Sequence, residues 1–482
     1  MRTVDDRQGR HLTGIGVSDR ENDDNTFTRP GSARPSSRTA GRARKLLAWI
    51  CTAALGRAVS AVVPLTLLPI TLSYLGTELY GLWAAVIALT GMIVFADLGV
   101  GLGLMTKLAP CRAEGDDHAA RRLISSAYAA VSTVSLSAGG VLWIASGVIP
   151  WSALFNAHGP TAESAHSVAM VCFTAFFLNI PLSLVVRVQY AYQQVVASNV
   201  WQAGGSALSL PLALIAIWAH APAIVVIGLI AASPLIVNLA NTAWTFGRRL
   251  KHLTPRVKFV DRGRMRDLFS IGGLFLVVTL VMVLADNADP LVIAHILGLG
   301  AVTSYAVPAR LFGQIGAIVA MVNQPTWPMH GEAVARGDFQ WVRRTVRRMT
   351  VVSVAVTICP SIIIVIFGEQ LLSAWLPVPM GNRSLLLGFA CWWVLLAAIS
   401  PRFMVQNAAG VVRPQLWGYA IYFPLSILGK VGCVQWFGVS ATPYAAVAAY
   451  CLTVLPAAII GYRKVLAKTA VSQGEKDVAL AQ

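Results

Sequence analysis

Charge is scarce in this chain. Only 12% of its 482 residues are Asp, Glu, Lys or Arg, about half of what an ordinary soluble domain carries. Acidic side chains are scarcer still, at 21 against 38 Lys and Arg. The seven cysteines form no C-x-x-C pair, and the eight histidines include no H-E-x-x-H or other paired spacing. That leaves no thiol or imidazole metal site to be read from spacing, so the cysteines are read as small packing residues. No G-x-x-x-x-G-K-[ST] loop occurs, which argues against ATP hydrolysis by this chain. Residues 1–45 are polar and lack the apolar core of a cleavable signal peptide. They read as a disordered, basic cytoplasmic tail.

What the chain has in abundance is apolar length. Of its residues 56% are apolar, and mean hydropathy is +0.65. Twelve runs approach the roughly 20 residues that cross a bilayer: 46–73, 79–106, 123–149, 167–190, 197–219, 222–247, 267–296, 301–329, 349–368, 384–405, 414–436 and 441–462. The fold class expected is all-α, a polytopic membrane protein of about 12 transmembrane helices. Its net charge of +17 could suggest nucleic acid, but topology explains it better. Connections after even-numbered runs hold eighteen Lys and Arg, among them Lys107, Arg112, Arg121, Arg122, eight between Arg248 and Arg266, and Arg413; the other side holds only Arg383. Cytoplasmic loops carry such an excess, so both termini are placed in the cytoplasm. The expected location is the cell (inner) membrane, with no nucleic acid as partner.

A repeat lies over this pattern. Leu75-Gly76 recurs as Leu297-Gly298, Trp83 as Tyr305 and Arg121-Arg122 as Arg343-Arg344, each at an offset of 222. Pro181 and Val188-Gln189 resemble Pro401 and Val405-Gln406, with the offset drifting to 217 for the latter pair. Each copy holds six runs, so the copies share one orientation and are related by an axis along the membrane normal. The division expected is a tail (1–45), an N-terminal six-helix lobe (46–247), a basic linker (248–266) that touches anionic lipid heads, a C-terminal lobe (267–462) and a tail (463–482), with a cavity between the lobes.

Eight ionisable residues fall within the apolar runs: Arg57, Asp97, Arg187, Asp286, Asp289, Arg310, Arg402 and Lys430. An isolated charge at the bilayer centre costs roughly 2.5–3.5 kcal/mol on the insertion scale, so these side chains are expected to face an interior. Depth pairs Arg57 with Asp97, and Arg310 with Asp286 or Asp289. Two readings stand side by side. Either these are structural ion pairs, with Arg187 and Arg402 reaching to the interface, or the surplus of positive charge receives an anionic head group through bidentate arginine contacts. On the second reading Arg57, Arg310, Lys430, Arg187 and Arg402 bind substrate, while Asp97, Asp286 and Asp289 couple ions or gate. Trp83, Tyr305, Trp327, Trp392, Trp393 and Trp417 read either as interfacial anchors or as surfaces that stack on sugars. Pro64, Pro69, Pro290, Pro308, Pro325 and Pro328 favour kinks in the helices that would move.

The run PITLSYLGTELYGLWAAVIALTGMIVFADLGVGLGLMTKL, from Pro69 to Leu108, resembles the first hairpin of bacterial polysaccharide flippases of the Wzx type, within the multidrug/oligosaccharidyl-lipid/polysaccharide exporter superfamily. The shared features are the Leu-Gly-x-x-x-Tyr-Gly-Leu-Trp turn and the Asp-Leu-Gly near the end of the second run. The resemblance implies alternating access, with a polyprenyl-diphosphate-linked glycan as substrate and membrane lipids, a polysaccharide polymerase and glycosyltransferases as partners. It implies no cofactor and no catalytic residue. Two alternatives are a cation-coupled drug exporter of the same superfamily, and a membrane glycosyltransferase or polymerase with Asp286-x-x-Asp289 as its acidic pair.

Overall fold

The computed structural model describes residues 37–92, 100–265, 280–281, 283–285, 287–323, 326–376 and 382–480. The chain divides into two compact units, Met1–Ala48 and Trp49–Gln482. In the first, residues 37–48 are helical; the packing and the sites described below lie in the second.

All regular structure among the described residues is helical. The first half contains α1 (Ser37–Met92), α2 (Val100–Glu114), α3 (Asp117–Ala145), the single turn α4 (Trp151–Leu154), α5 (Pro160–Ala191), α6 (Val195–Trp218) and α7 (Ala223–Trp244). A π turn at Thr245–Arg249 and two short 3-10 turns follow. The second half contains α8 (Asp289–Leu297), α9 (Leu299–Asn323), α10 (Thr326–Arg336), α11 (Phe339–Trp375), α12 (Arg383–Ala408), α13 (Arg413–Phe437), α14 (Ala441–Leu452) and α15 (Val454–Leu480). Ten of the described helical stretches are long and apolar enough to span a membrane. The twelve runs of the sequence become ten here because the first run and the described part of the second are counted in one helical stretch, Ala58–Met92, and the seventh falls largely outside the described residues. The helix also begins at Ser37, so residues 37–45 are helical where a disordered tail was expected.

Single glycines set where the helices turn. At Gly76 (φ 74°, ψ 170°) and Gly298 (φ 86°, ψ 173°) the backbone takes a conformation that only glycine adopts freely. The connection between the runs expected at 46–73 and 79–106 therefore shrinks to one residue, and Thr77 already opens the next helical segment. These two glycines stand at the repeat offset of 222, and so do Gly115 and Gly337, both with positive φ. Asp116 and Asp338 cap the helices that follow, accepting from the N–H of Ala119 (2.8 Å) and Trp341 (2.9 Å). Further along, Gln193 and Gly410 share positive φ at an offset of 217. The backbone thus repeats at the spacing read from the sequence.

Packing is densest within two groups, α2, α3 and α5–α7 in the first half and α9–α15 in the second. One apolar core nevertheless runs through both, from Leu68, Tyr80 and Val86 to Val302, Phe312 and Phe389. At the end of the molecule opposite the basic connections, the halves meet through repeat-related positions. The Thr303 hydroxyl donates to the Thr77 carbonyl at 2.5 Å, and a Cβ on Gly81 would lie 2.0 Å from the Leu299 carbonyl oxygen. Residues 77 and 81 correspond to 299 and 303, so the contact is close to self-complementary, as at a two-fold axis. Asn156 adds a bond to the Ala294 carbonyl at 3.1 Å. The basic linker packs on α3, where lipid contact was expected. Arg121 donates to the Thr254 carbonyl (3.0 Å), Arg122 pairs with Asp261, and the Ser125 and Ser126 hydroxyls accept from the N–H groups of Arg256 and Asp261.

Candidate functional site: a cavity beside Arg310

Arg310 lies on α9, eleven residues past Leu299, which at 1.5 Å per residue is roughly 16 Å into the helix. It opens onto a cavity of about 410 Å³. Ala84, Ile87 and Ala88 of α1 form one wall, and Asn287 with residues of α8, α9, α12, α13 and α14 forms the rest. The small side chains Ala306 and Ala309, together with Ala88, leave the space open, while Tyr305, Trp392 and Trp393 give it flat aromatic surfaces. Trp392 in turn stacks on Tyr422, with ring centroids 6.3 Å apart and planes 12° from parallel.

Among the described residues two cations reach this cavity, and they differ in state. Lys430 is buried, and its ammonium forms an ion pair with the equally buried Asp289. The Tyr305 hydroxyl donates to the other Asp289 oxygen, and Lys430 also donates to the Ala285 carbonyl at 3.4 Å. A charge taken out of water needs such partners, so the pair reads as an internally neutral brace. Arg310 is half-buried and makes no ion pair among the described residues. Its guanidinium instead lies 5.7 Å from the Tyr80 ring centre and 5.8 Å from that of Trp83. Ring faces attract the cation without using its N–H donors. Among the described residues no acceptor takes those donors, which suits them to a pair of anionic oxygens.

The depth argument paired Arg310 with Asp286 or Asp289. The structure gives Asp289 to Lys430, because α13 carries that ammonium across to the start of α8. Arg187 lines a different cavity, described below. Arg402 is half-buried and returns to its own helix, donating to the Ala398 carbonyl at 2.6 Å. The side chain of Arg57 and the residues Asp97 and Asp286 lie outside the described set. Trp327 and Trp417 are exposed, as interfacial anchors would be. Pro64, Pro69 and Pro308 lie inside helices, whereas Pro290 sits in the first turn of α8, where its missing N–H costs nothing. Pro325 is not among the described residues. No group of three or more His, Cys, Asp or Glu among the described residues could hold a metal ion.

Tyr80 was missed by sequence reasoning, although Tyr80 and Trp83 at i and i+3 share one helix face. Nothing in the sequence links that face to Arg310, which belongs to the other copy of the repeat.

Residues 47–333 match the model of a family described as "Polysaccharide biosynthesis protein". No curated protein matches the chain. Among solved structures, it is similar to the inward-facing conformation of a multidrug resistance MATE family transporter of the MOP superfamily. That match has 15% identity and a TM-score of 0.67, and covers 89% of this chain and 95% of the other. It is also similar to a point mutant of the Vibrio cholerae MATE transporter VcmN, with 15% identity, a TM-score of 0.65, and 90% and 99% covered. A MOP superfamily transporter from Pyrococcus furiosus, whose structure is titled as having a binding pocket of reverse polarity, follows at 14% identity, a TM-score of 0.56, and 88% and 95% covered. At such identities the likeness shows the fold alone.

Proposed function

The chain belongs to the polysaccharide biosynthesis protein family, and from that premise we propose that it translocates polyprenyl-diphosphate-linked oligosaccharide units across the membrane by alternating access. It is a multi-pass membrane protein with the fold of MOP-superfamily transporters. The observation that carries the finer reading is Arg310: a guanidinium with no carboxylate partner among the described residues, at the wall of an apolar and aromatic cavity between α1 and the second half. A diphosphate offers the planar oxygen pairs that a guanidinium grips, and the apolar wall suits an isoprenoid chain.

Export of cationic drugs fits this cavity less well, because the one carboxylate among the described residues of its wall, Asp289, is already held by Lys430 and Tyr305. The same engagement argues against Asp289 as half of a catalytic acidic pair. On this reading the protein lies in the cell membrane with both termini in the cytoplasm and receives its substrate from glycosyltransferases on that side.

The test is transport of the host's lipid-linked glycan into the outer leaflet, scored in cells or proteoliposomes carrying Arg310→Ala. The variant should remain in the membrane at wild-type level and lose transport, with Arg310→Lys retaining part of it, since Lys keeps the charge and loses the fork. Wild-type transport by Arg310→Ala removes the residue from the mechanism.

A further inference from the structure

We infer that the first half of the chain holds a second subsite, which takes the saccharide portion of the carrier; this rests on the transport reading above and adds to it. The site is a cavity of about 430 Å³ lined from four helices, with Ser60 on α1, Arg187 and Tyr190 on α5, Trp201, Gln202 and Ser206 on α6, and Asn238 on α7.

Its position is the first argument. Arg187 is four residues from the end of α5 and Trp201 six from the start of α6, placing the cavity roughly 6–9 Å inside the basic end of the helices. These side chains lie on helices long and apolar enough to cross a membrane. Amides, hydroxyls and a guanidinium left unsatisfied in hydrocarbon are strongly unfavourable, so this face meets water or a polar ligand.

Its chemistry is the second. Gln202 donates to the Tyr190 hydroxyl at 3.2 Å and Asn238 donates to the Asn179 amide oxygen at 2.9 Å. The amide oxygens of Gln202 and Asn238 accept from nothing among the described residues. Arg187 has no carboxylate within ion-pair distance among the described residues. The cavity therefore presents free acceptors, a free planar donor, hydroxyls and an indole face, with no acidic group among the described residues of its lining. Vicinal sugar hydroxyls both donate and accept, and the apolar face of a pyranose packs on an indole. A metal or organic cation would instead want a carboxylate. The Arg310 cavity has the complementary character, apolar and aromatic around one guanidinium. The two cavities divide one amphiphilic substrate: the diphosphate and its isoprenoid at Arg310, the sugars at Gln202.

The experiment measures binding to the full-length protein in nanodiscs with three probes. These are farnesyl diphosphate, which carries no sugar; the lipid-linked oligosaccharide extracted from the host's own membranes; and the glycan released from that carrier by mild acid. Gln202→Ala, at an exposed position with little packing to lose, should weaken the carrier by about tenfold and abolish competition by the released glycan. Ser206→Phe, which fills the cavity, should do the same, and both should bind farnesyl diphosphate as the wild type does. Wild-type affinity for the carrier in both variants overturns the inference. So does an equal loss for farnesyl diphosphate, which would make this a phosphate site, and so does a wild type that binds released glycan but not the carrier. If the wild type binds neither farnesyl diphosphate nor the carrier, the transport reading itself fails. If it binds both but Arg310→Ala alone leaves farnesyl diphosphate unaffected, the fault lies with the Arg310 assignment.

Discussion

A methyl group at Gly81 should open the end of the molecule that this structure shows closed. The added Cβ would stand 2.0 Å from the Leu299 carbonyl oxygen and 2.9 Å from the Thr303 hydroxyl. The first is backbone, and the second is fixed by its bond to the Thr77 carbonyl, so neither neighbour can turn aside. Relief requires the two halves to separate there. Overpacking of this kind costs about 1–3 kcal/mol, and a state in which the halves are apart does not bear it. Gly81→Ala should therefore shift the balance between the two states roughly 5- to 150-fold toward opening at this end. Hydrogen exchange followed by mass spectrometry on the full-length protein reads the shift directly, as faster exchange of amides around Thr77–Gly81 and Leu299–Tyr305. Gly300→Ala is the control, because a Cβ there meets nothing within 4 Å and φ is ordinary. Wild-type exchange in Gly81→Ala, with transport intact, would refute the claim that this contact closes the molecule.

Breaking the buried pair with Lys430→Met or Asp289→Asn alone should destabilise the protein by about 3–5 kcal/mol, while the double variant recovers most of it; thermal unfolding in detergent checks both. Gly76→Ala and Gly298→Ala force a side chain into a backbone conformation that is essentially glycine's own, and each should lower stability by about 1–3 kcal/mol in the same assay. Asp261, which the Arg264 backbone N–H and then those of Gly263 and the Arg122 guanidinium hold below its ordinary carboxylate value of 3.8, should keep the linker docked on α3 at neutral pH. Its contribution is present above 3.8 and is lost as pH falls through the lower folded value. Asp261→Asn should reproduce that loss at neutral pH, read as faster tryptic cleavage between Arg256 and Arg266; unchanged cleavage would mean that the other linker bonds suffice.

Much of the architecture was legible because the membrane imposes it. Length and polarity of the apolar runs mark the helices, and Leu75-Gly76 and Leu297-Gly298 mark the repeat because glycine alone accepts the backbone found there. The pairing of charges was not legible. Depth along a helix says how far Arg310, Asp289 and Lys430 lie from an end, but not which face each presents or which helix stands opposite. Asp289 found its partner on α13, five helices further along the chain. Among the described residues Arg310 found no acid, only the rings of Tyr80 and Trp83 in the other half. The second cavity was legible only in Arg187, for the same reason, since Ser60, Gln202 and Asn238 are unremarkable singly and join it only where α1, α5, α6 and α7 converge.

The repeat holds in the backbone and lapses in the chemistry, and that lapse locates the candidate site. Arg310 corresponds to Ala88 and Asp289 to Leu67 at the offset of 222, while Lys430 corresponds to Ala213 and Arg187 to Met404 at the offset of 217. Ala88 lines the same cavity as Arg310. A side chain as large as arginine at both positions would fill the space and set two like charges across it. One half supplies the cation and the other supplies the room. A strictly symmetric pair of lobes could close on itself through residues such as Thr77, Gly81, Leu299 and Thr303, but would have no preferred way to orient a head group with distinct phosphate and sugar ends. Duplicated backbone with unequal cavities meets both needs of the proposed transport: symmetric contacts for closing and opening, asymmetric chemistry for the two-ended substrate proposed above.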